Sequence, residues 1–233
     1  MTTFAEKILE FQLSLRPEPN IPTGIEWLFP YEDKAVQMAM STFFNKYFSD
    51  NNQRFVLLGI NPGRFGAGIT GLPFTDPIRM ETECGIRNNF KKRQELSSVF
   101  VYDVVNAMGG SQQFYANFYI TSICPLGFIK DGKNYNYYDS KELTNSVLPL
   151  IEENLEKHLT YGISEQVAFS MGQGKNFKFL EELNQRKKYF REVVALPHPR
   201  WVMQYRLKQK DKFINQYVET LTTYKKKGSS LTR

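Results

Sequence analysis

The chain has 233 residues, 41% of them hydrophobic and 15% aromatic, and a net charge of +6; this is enough apolar material for one α/β domain with a buried core. It has no uninterrupted apolar run long enough to cross a bilayer, and its start, MTTFAEKILEF, lacks the basic-then-apolar layout of a signal peptide, so a cytosolic protein with no membrane role is expected. Its two cysteines, Cys84 and Cys124, are too few for a disulfide framework, a four-cysteine zinc site or a cysteine-ligated iron–sulfur cluster, and the positive charge tilts toward a polyanionic partner.

Thr3 to Leu15 sets Phe4, Ile8, Phe11 and Leu15 at helical spacing behind a threonine cap, and Pro17, Pro19 and Pro22 end the helix. A second helix is expected over Glu32 to Phe48, with Ala35, Ala39, Phe43 and Tyr47 on one stripe. The chain is then organised around Arg54 to Thr75, RFVLLGINPGRFGAGITGLPFT. Phe55, Val56, Leu57, Leu58 and Ile60 read as a strand buried on both faces, which breaks at Asn61-Pro62-Gly63. Gly63, Gly66, Gly68, Gly71 and Pro73 then fill a long loop. Each glycine there carries an entropic cost that is tolerated where backbone bends sharply or approaches a ligand. Open parallel sheets hold ligands at the carboxyl ends of their strands, which is where this loop falls; a connection with no ligand is the alternative. Beyond it, Ile78 to Leu96 is polar, and Lys91, Lys92 and Arg93 read as a solvated face.

Ser97 or Ser98 can cap a helix to Met108, stopped by Gly109-Gly110. Asn117 to Ile123 is a second buried strand, closed by Cys124-Pro125 and followed by an aromatic, polar loop, GFIKDGKNYNYYDS. Asp139 or Ser140 caps a long helix to about His158, a histidine expected to act as a helix C-terminal cap. Gln166 to Met171 is a third strand, with Gly172-Gln173-Gly174 and a helix from Lys175 to Lys187 after it. Glu192 to Leu196 is a fourth, turning at Pro197-His198-Pro199, and a last helix over about Arg206 to Tyr224 precedes a basic tail expected to fray. Strands alternating with helices predict an α/β fold: a three-layer sandwich with a central, mostly parallel four-stranded sheet flanked by helices.

Of the two histidines, His198 leaves a buried strand at the sheet edge that Asn61 occupies, between prolines that restrict its backbone. That suits a side chain that must be held, with a purely structural histidine as the other reading. Gly172-Gln173-Gly174 is a weak phosphate-turn signal, because neither GxGxxG nor a Walker lysine accompanies it. No Ser-His-Asp arrangement, HExxH or paired-carboxylate spacing stands out.

GINPGRFGAGITGLPF, SICPLGF and LPHPR, in that order and each ending a predicted strand, resemble the uracil-DNA glycosylase superfamily, nearest to the bacterial type 2 branch of the single-strand-selective monofunctional enzymes. The resemblance covers about residues 54 to 215 of a single domain spanning 1–233, with 225–233 left as tail. It implies a monofunctional glycosylase of base excision repair that works as a monomer on DNA containing deaminated bases, in single or double strands. It calls for no metal or other cofactor, and would place the protein in the bacterial cytosol, at the nucleoid while working.

Residue by residue, the resemblance makes His198 the donor to the base O2 as charge develops there and Asn61 the holder of the attacking water. Phe74 becomes the stacking aromatic, with Ile60 and Gly63 at the pocket edge. An amide orients water but cannot accept its proton as a carboxylate would. No lysine stands at these motif positions, so no Schiff base with the sugar is expected. Two departures stand out. Ser122 occupies the position where animal members carry a base-reading asparagine, which suggests a looser code that admits xanthine and hypoxanthine beside uracil. HPRWVMQYR replaces the family's serine- and proline-containing wedge loop, offering Trp201 and Met203 as wedges beside Pro199, with Arg200 and Arg206 for phosphates; a core-packing role for Trp201 is as good a reading. The competing function is a catalytically inactive nucleic-acid or nucleotide-binding α/β domain.

Overall fold

A computed structural model of the chain describes residues 2–17 and 20–231, with the side chains of 228–231 left out. Pro19, one of the three prolines expected to end the first helix, lies outside the described residues, as do the last two positions of the tail. The first helix, α1 (Phe4–Ser14), opens with a reciprocal capping box in which Thr3 and Glu6 satisfy each other's backbone N–H groups. Then come β1 (Ile25–Leu28), α2 (Lys34–Phe48), β2 (Arg54–Gly59), α3 (Ala67–Thr70), α4 (Pro77–Thr82), α5 (Leu96–Ala107) and α6 (Ser111–Tyr115). The second half is β3 (Phe118–Ser122), β4 (Gly127–Lys130), β5 (Lys133–Tyr135), α7 (Lys141–Tyr161), β6 (Ile163–Met171), α8 (Lys175–Lys187), β7 (Glu192–Leu196), α9 (Pro199–Tyr205) and α10 (Lys210–Leu231), with a short 3-10 turn before the last.

The four strands expected from the sequence form one wholly parallel sheet in the order β3-β2-β6-β7. Side chains alternate across it. Tyr119 meets Phe4 of α1, Phe48 of α2 and His158 of α7 on one face. On the other, Phe118 meets Phe114 of α6 and Phe169 meets Tyr224 of α10. The result is a three-layer α/β sandwich. Arg54, fully buried at the start of β2, is neutralised by Asp50 at 2.8 Å and bonded to the carbonyls of Tyr47, Asn52 and Tyr115, which is how a buried guanidinium is tolerated.

A second sheet was not foreseen. β1, β4 and β5 form a small antiparallel sheet, and the stretch read as a polar loop is the β4–β5 hairpin, closed by Asp131-Gly132 with φ of 50° and 67°. Asp-Gly between two β-rich segments is the usual signature of such a turn. This sheet braces the glycine loop: a Cβ on Gly127 would lie 2.5 Å from the Pro62 carbonyl, and one on Gly68 would lie 2.8 Å from the Gly63 carbonyl and from Leu28.

Three local expectations change. His158 is not a charged cap. It is buried, with Nε2 3.1 Å from the Tyr119 hydroxyl and Nδ1 2.6 Å from the Asn154 carbonyl, and burial lowers its pKa to about 4. The helix after Pro197-His198-Pro199 starts at once as α9, because His198 caps it, and α10 begins only at Lys210 and continues as helix to Leu231 where fraying was expected. Finally, α5 starts at Leu96, and Ser98 accepts a hydrogen bond from the Asp76 backbone and does not cap α5.

Candidate active site

Because all four central strands run parallel, their carboxyl ends share one edge, and the loops after β2, β6 and β7 meet there. They enclose a cavity of about 290 Å³ lined by Ile60, Tyr138, Gly172, Gln173, Gly174, Lys175, Asn176, His198 and Trp201. A Cβ on Gly172 would lie 3.6 Å from His198 Cδ2 and 3.8 Å from Asn176 Cβ. Glycine here keeps open the space that the imidazole and the amide share.

His198 is held from three directions. Pro199 fixes the first turn of α9, the Tyr217 hydroxyl on α10 donates to the Pro197 carbonyl at 2.6 Å, and Nδ1 of His198 accepts the Arg200 N–H at 3.1 Å. Burial, reinforced by the Arg200 charge, lowers the imidazole to about 4. At neutral pH the ring is therefore uncharged, and with Nδ1 acting as acceptor its one proton sits on Nε2. The cavity thus has a fixed neutral N–H donor.

Asn61 follows Ile60, and its carboxamide is clamped by the hairpin. Nδ2 donates to the carbonyls of Pro62 at 3.3 Å and Tyr135 at 3.2 Å, while Oδ1 accepts the Tyr137 N–H at 3.2 Å. Two carbonyls against the nitrogen and an N–H against the oxygen fix the amide's orientation. One lone pair on Oδ1 is left over. Tyr137 also reaches the cavity wall, its hydroxyl donating to Asn176 Oδ1 at 2.9 Å, so one residue, by its backbone N–H and its hydroxyl, ties the loop after β2 to the start of α8.

A model of the uracil DNA glycosylase superfamily matches residues 46–222. The chain belongs to that superfamily. Among solved structures the fold is similar to wild-type SMUG2 of Pedobacter heparinus, at 44% identity and a TM-score of 0.93 over 97% of this chain and 100% of that one. Among curated proteins, none matches. The enzyme is thus an N-glycosyl hydrolase of the uracil-DNA glycosylase type, and the branch read from its motifs agrees with the structural likeness.

The glycosylase's other predicted site residues fall into three groups. Ile60, His198 and Trp201 line the cavity, and Asn61 is anchored beside it. Gly63, Phe74 and Ser122 stand outside its wall. Phe74 has a left-handed backbone, φ 54°, and its ring lies 2.9 Å from where a Cβ on Gly59 would be; Ser122 is buried in register with Gly59 and its carbonyl accepts from Asn154. In the segment after His198, Arg200 and Arg206 are exposed as expected, Pro199 is buried as the first residue of α9, and Met203 is half-buried, packed against the edge of the core. Trp201 is 37% exposed, edge-on to Phe213 and under the Arg206 guanidinium, whereas Tyr205 at 65% and Leu207 at 57% project furthest.

Sequence reasoning passed over Tyr138, Gln173, Lys175, Asn176 and Glu95. The first three sit in or beside signals that were visible, the aromatic stretch and the Gly-x-Gly turn, whereas nothing in the sequence sets Asn176 apart from other polar residues in the first turn of a helix. Glu95 likewise is legible only in three dimensions: it lies against Gly66, its Oε2 is buried with no hydrogen-bond partner among the described residues, and burial followed by the nearby Asp76 charge raises it to about 7 against the pull of Arg200.

Proposed function

We propose that the protein is a monofunctional DNA glycosylase that releases uracil, and also xanthine and hypoxanthine, from DNA by hydrolysis. The observation that carries this reading is the neutral His198, whose own helix occupies Nδ1 and leaves Nε2–H as a donor into the cavity. As the glycosidic bond lengthens, negative charge gathers on the leaving base and its O2, where a preorganised donor stabilises the transition state more than the ground state. A neutral imidazole does this without a proton transfer. The spare lone pair of Asn61 Oδ1 accepts a hydrogen from a water and turns the water's own lone pair toward the sugar.

In this reading the flipped base reaches past the cavity wall beside Ile60 to stack on Phe74, with Gly63 at the outer rim and Ser122 behind them. Arg200 and Arg206 hold phosphates, and Trp201 stands at the cavity mouth. The exposed pair Tyr205 and Leu207 takes over the wedge role first given to Met203. Water is the nucleophile, so the reaction needs no cofactor, and the protein acts as a monomer on cytosolic DNA. Lys175 is the one amine on the cavity wall, lying 5.9 Å from the Tyr138 ring, so monofunctional action has a direct check: borohydride should trap no protein–DNA adduct.

The test is base release from uracil oligonucleotides, single- and double-stranded, read as abasic sites without strand nicking. Asn61→Ala and His198→Ala should each lose roughly a hundredfold or more in release rate while keeping DNA affinity. Failure of the unmutated protein to release any base would favour the inactive binding module.

A further inference from the structure

The geometry points to Asn176 as the residue that reads the Watson–Crick edge of the flipped base. This rests on the glycosylase reading and assigns the task to α8, whereas Ser122 on β3 holds the position from which the family resemblance would have it done. Asn176 is buried on the cavity wall, across the space beside Gly172 from His198. Its orientation follows from its partners. The Ser170 hydroxyl donates to the Gly172 carbonyl and so accepts from Asn176 Nδ2 at 3.3 Å, while the Tyr137 hydroxyl donates to Oδ1 at 2.9 Å.

An asparagine amide has two N–H bonds and two lone pairs. One of each is used. One N–H and one lone pair remain, side by side on a group that the surrounding network prevents from flipping. Leaving a buried amide donor and acceptor unmet is unfavourable, so their natural complement is a ligand edge with a carbonyl next to an N–H.

Uracil presents that edge as O4 and N3–H. Hypoxanthine and xanthine present it as O6 and N1–H. Cytosine and adenine carry the reverse pattern, an amine beside a ring nitrogen lone pair, which sets donor against donor and acceptor against acceptor. Guanine and thymine share the carbonyl and N–H edge, so this amide does not reject them: guanine's rejection falls to the 2-amino group facing the His198 N–H, and thymine's to its 5-methyl group, away from this edge. A single fixed amide thus accounts for a code wider than uracil yet closed to the normal bases that lack the edge.

The experiment compares uracil with N3-methyluracil in otherwise identical single-stranded oligonucleotides. The methyl group removes the N–H and presses on Asn176 Oδ1. The unmutated enzyme should release uracil about a hundredfold faster than the methylated base. In Asn176→Ala, uracil release should fall at least about tenfold and the two rates should converge. Thermal melting establishes that each variant folds. Should Asn176→Ala fail to fold, Tyr137→Phe, which removes only the hydroxyl steering the amide, should narrow the same ratio. The unmutated ratio persisting in whichever variant folds overturns the assignment, as does an unmutated enzyme that takes both bases equally. An unmutated enzyme that releases no base at all overturns the glycosylase reading first and this one with it.

Discussion

Replacing Glu95 by glutamine should make the protein more stable at pH 8 and leave it nearly unchanged at pH 5. Glu95 ends the polar stretch before α5 and lies against the backbone of Gly66, with Oε2 buried and without a hydrogen-bond partner among the described residues. The charges facing it are Asp76 at the start of α4 and Arg200 on α9. Burial is the largest cause and Asp76 the second, together raising the carboxyl from an ordinary 4.5 to about 7. A raised pKa means that the folded state keeps its proton after the unfolded chain has lost it, so the stability linked to that proton is complete below 4.5 and drains away as pH climbs through 7. Each pH unit between the two values is worth about 1.4 kcal/mol. The ionised carboxylate therefore costs the fold under about 1 kcal/mol at pH 5 and about 3 kcal/mol at pH 8, as an upper bound. Glutamine has nearly the same shape and no charge. Its amide adds an offset of its own, but one that does not vary with pH, so the quantity to measure is the variant-minus-parent difference from urea unfolding at both pH values. That difference should grow by about 2 kcal/mol from pH 5 to pH 8. A constant difference would show that Glu95 ionises normally and that its burial is relieved by solvent or by Arg200.

Gly59→Ala places a methyl 2.9 Å from the Phe74 ring and 3.4 Å from the Thr121 carbonyl, so it should cost about 1–3 kcal/mol and displace Phe74; unaltered thermal melting would refute the packing argument. His158, lowered to about 4, gives stability that is complete above its usual 6.5 and lost as pH falls toward 4. The parent should thus lose more stability over that interval than His158→Gln, and equal losses would place the cause elsewhere. Tyr205→Ala combined with Leu207→Ala should weaken duplex binding about tenfold while sparing release from single strands, and a shortfall confined to single strands would rule out the wedge.

The central sheet could be read in advance because each of its strands carries its own evidence: a buried run such as Arg54–Gly59 or Phe118–Ser122 has to be covered on both faces, and its sharp ending fixes where the loop begins. The antiparallel sheet announced itself more faintly. β1 and β4 are four residues each and β5 only three, too short for alternation to separate them from loop, and the Asp131-Gly132 turn was the one local cue. Missing that sheet meant missing what it does. It delivers Tyr135 and Tyr137 to the two ends of the Asn61 amide, a contact across more than seventy positions that no nearby pattern encodes. The same holds for the site's division of labour. His198 was legible because prolines and a strand end constrain it locally, whereas Asn176 looks in the sequence like any polar residue in the first turn of a helix. Only burial, the Tyr137 hydroxyl and the Ser170 hydroxyl single it out. Groups held by their own backbone can be found by reading along the chain, and groups held by distant partners emerge only once those partners have been placed.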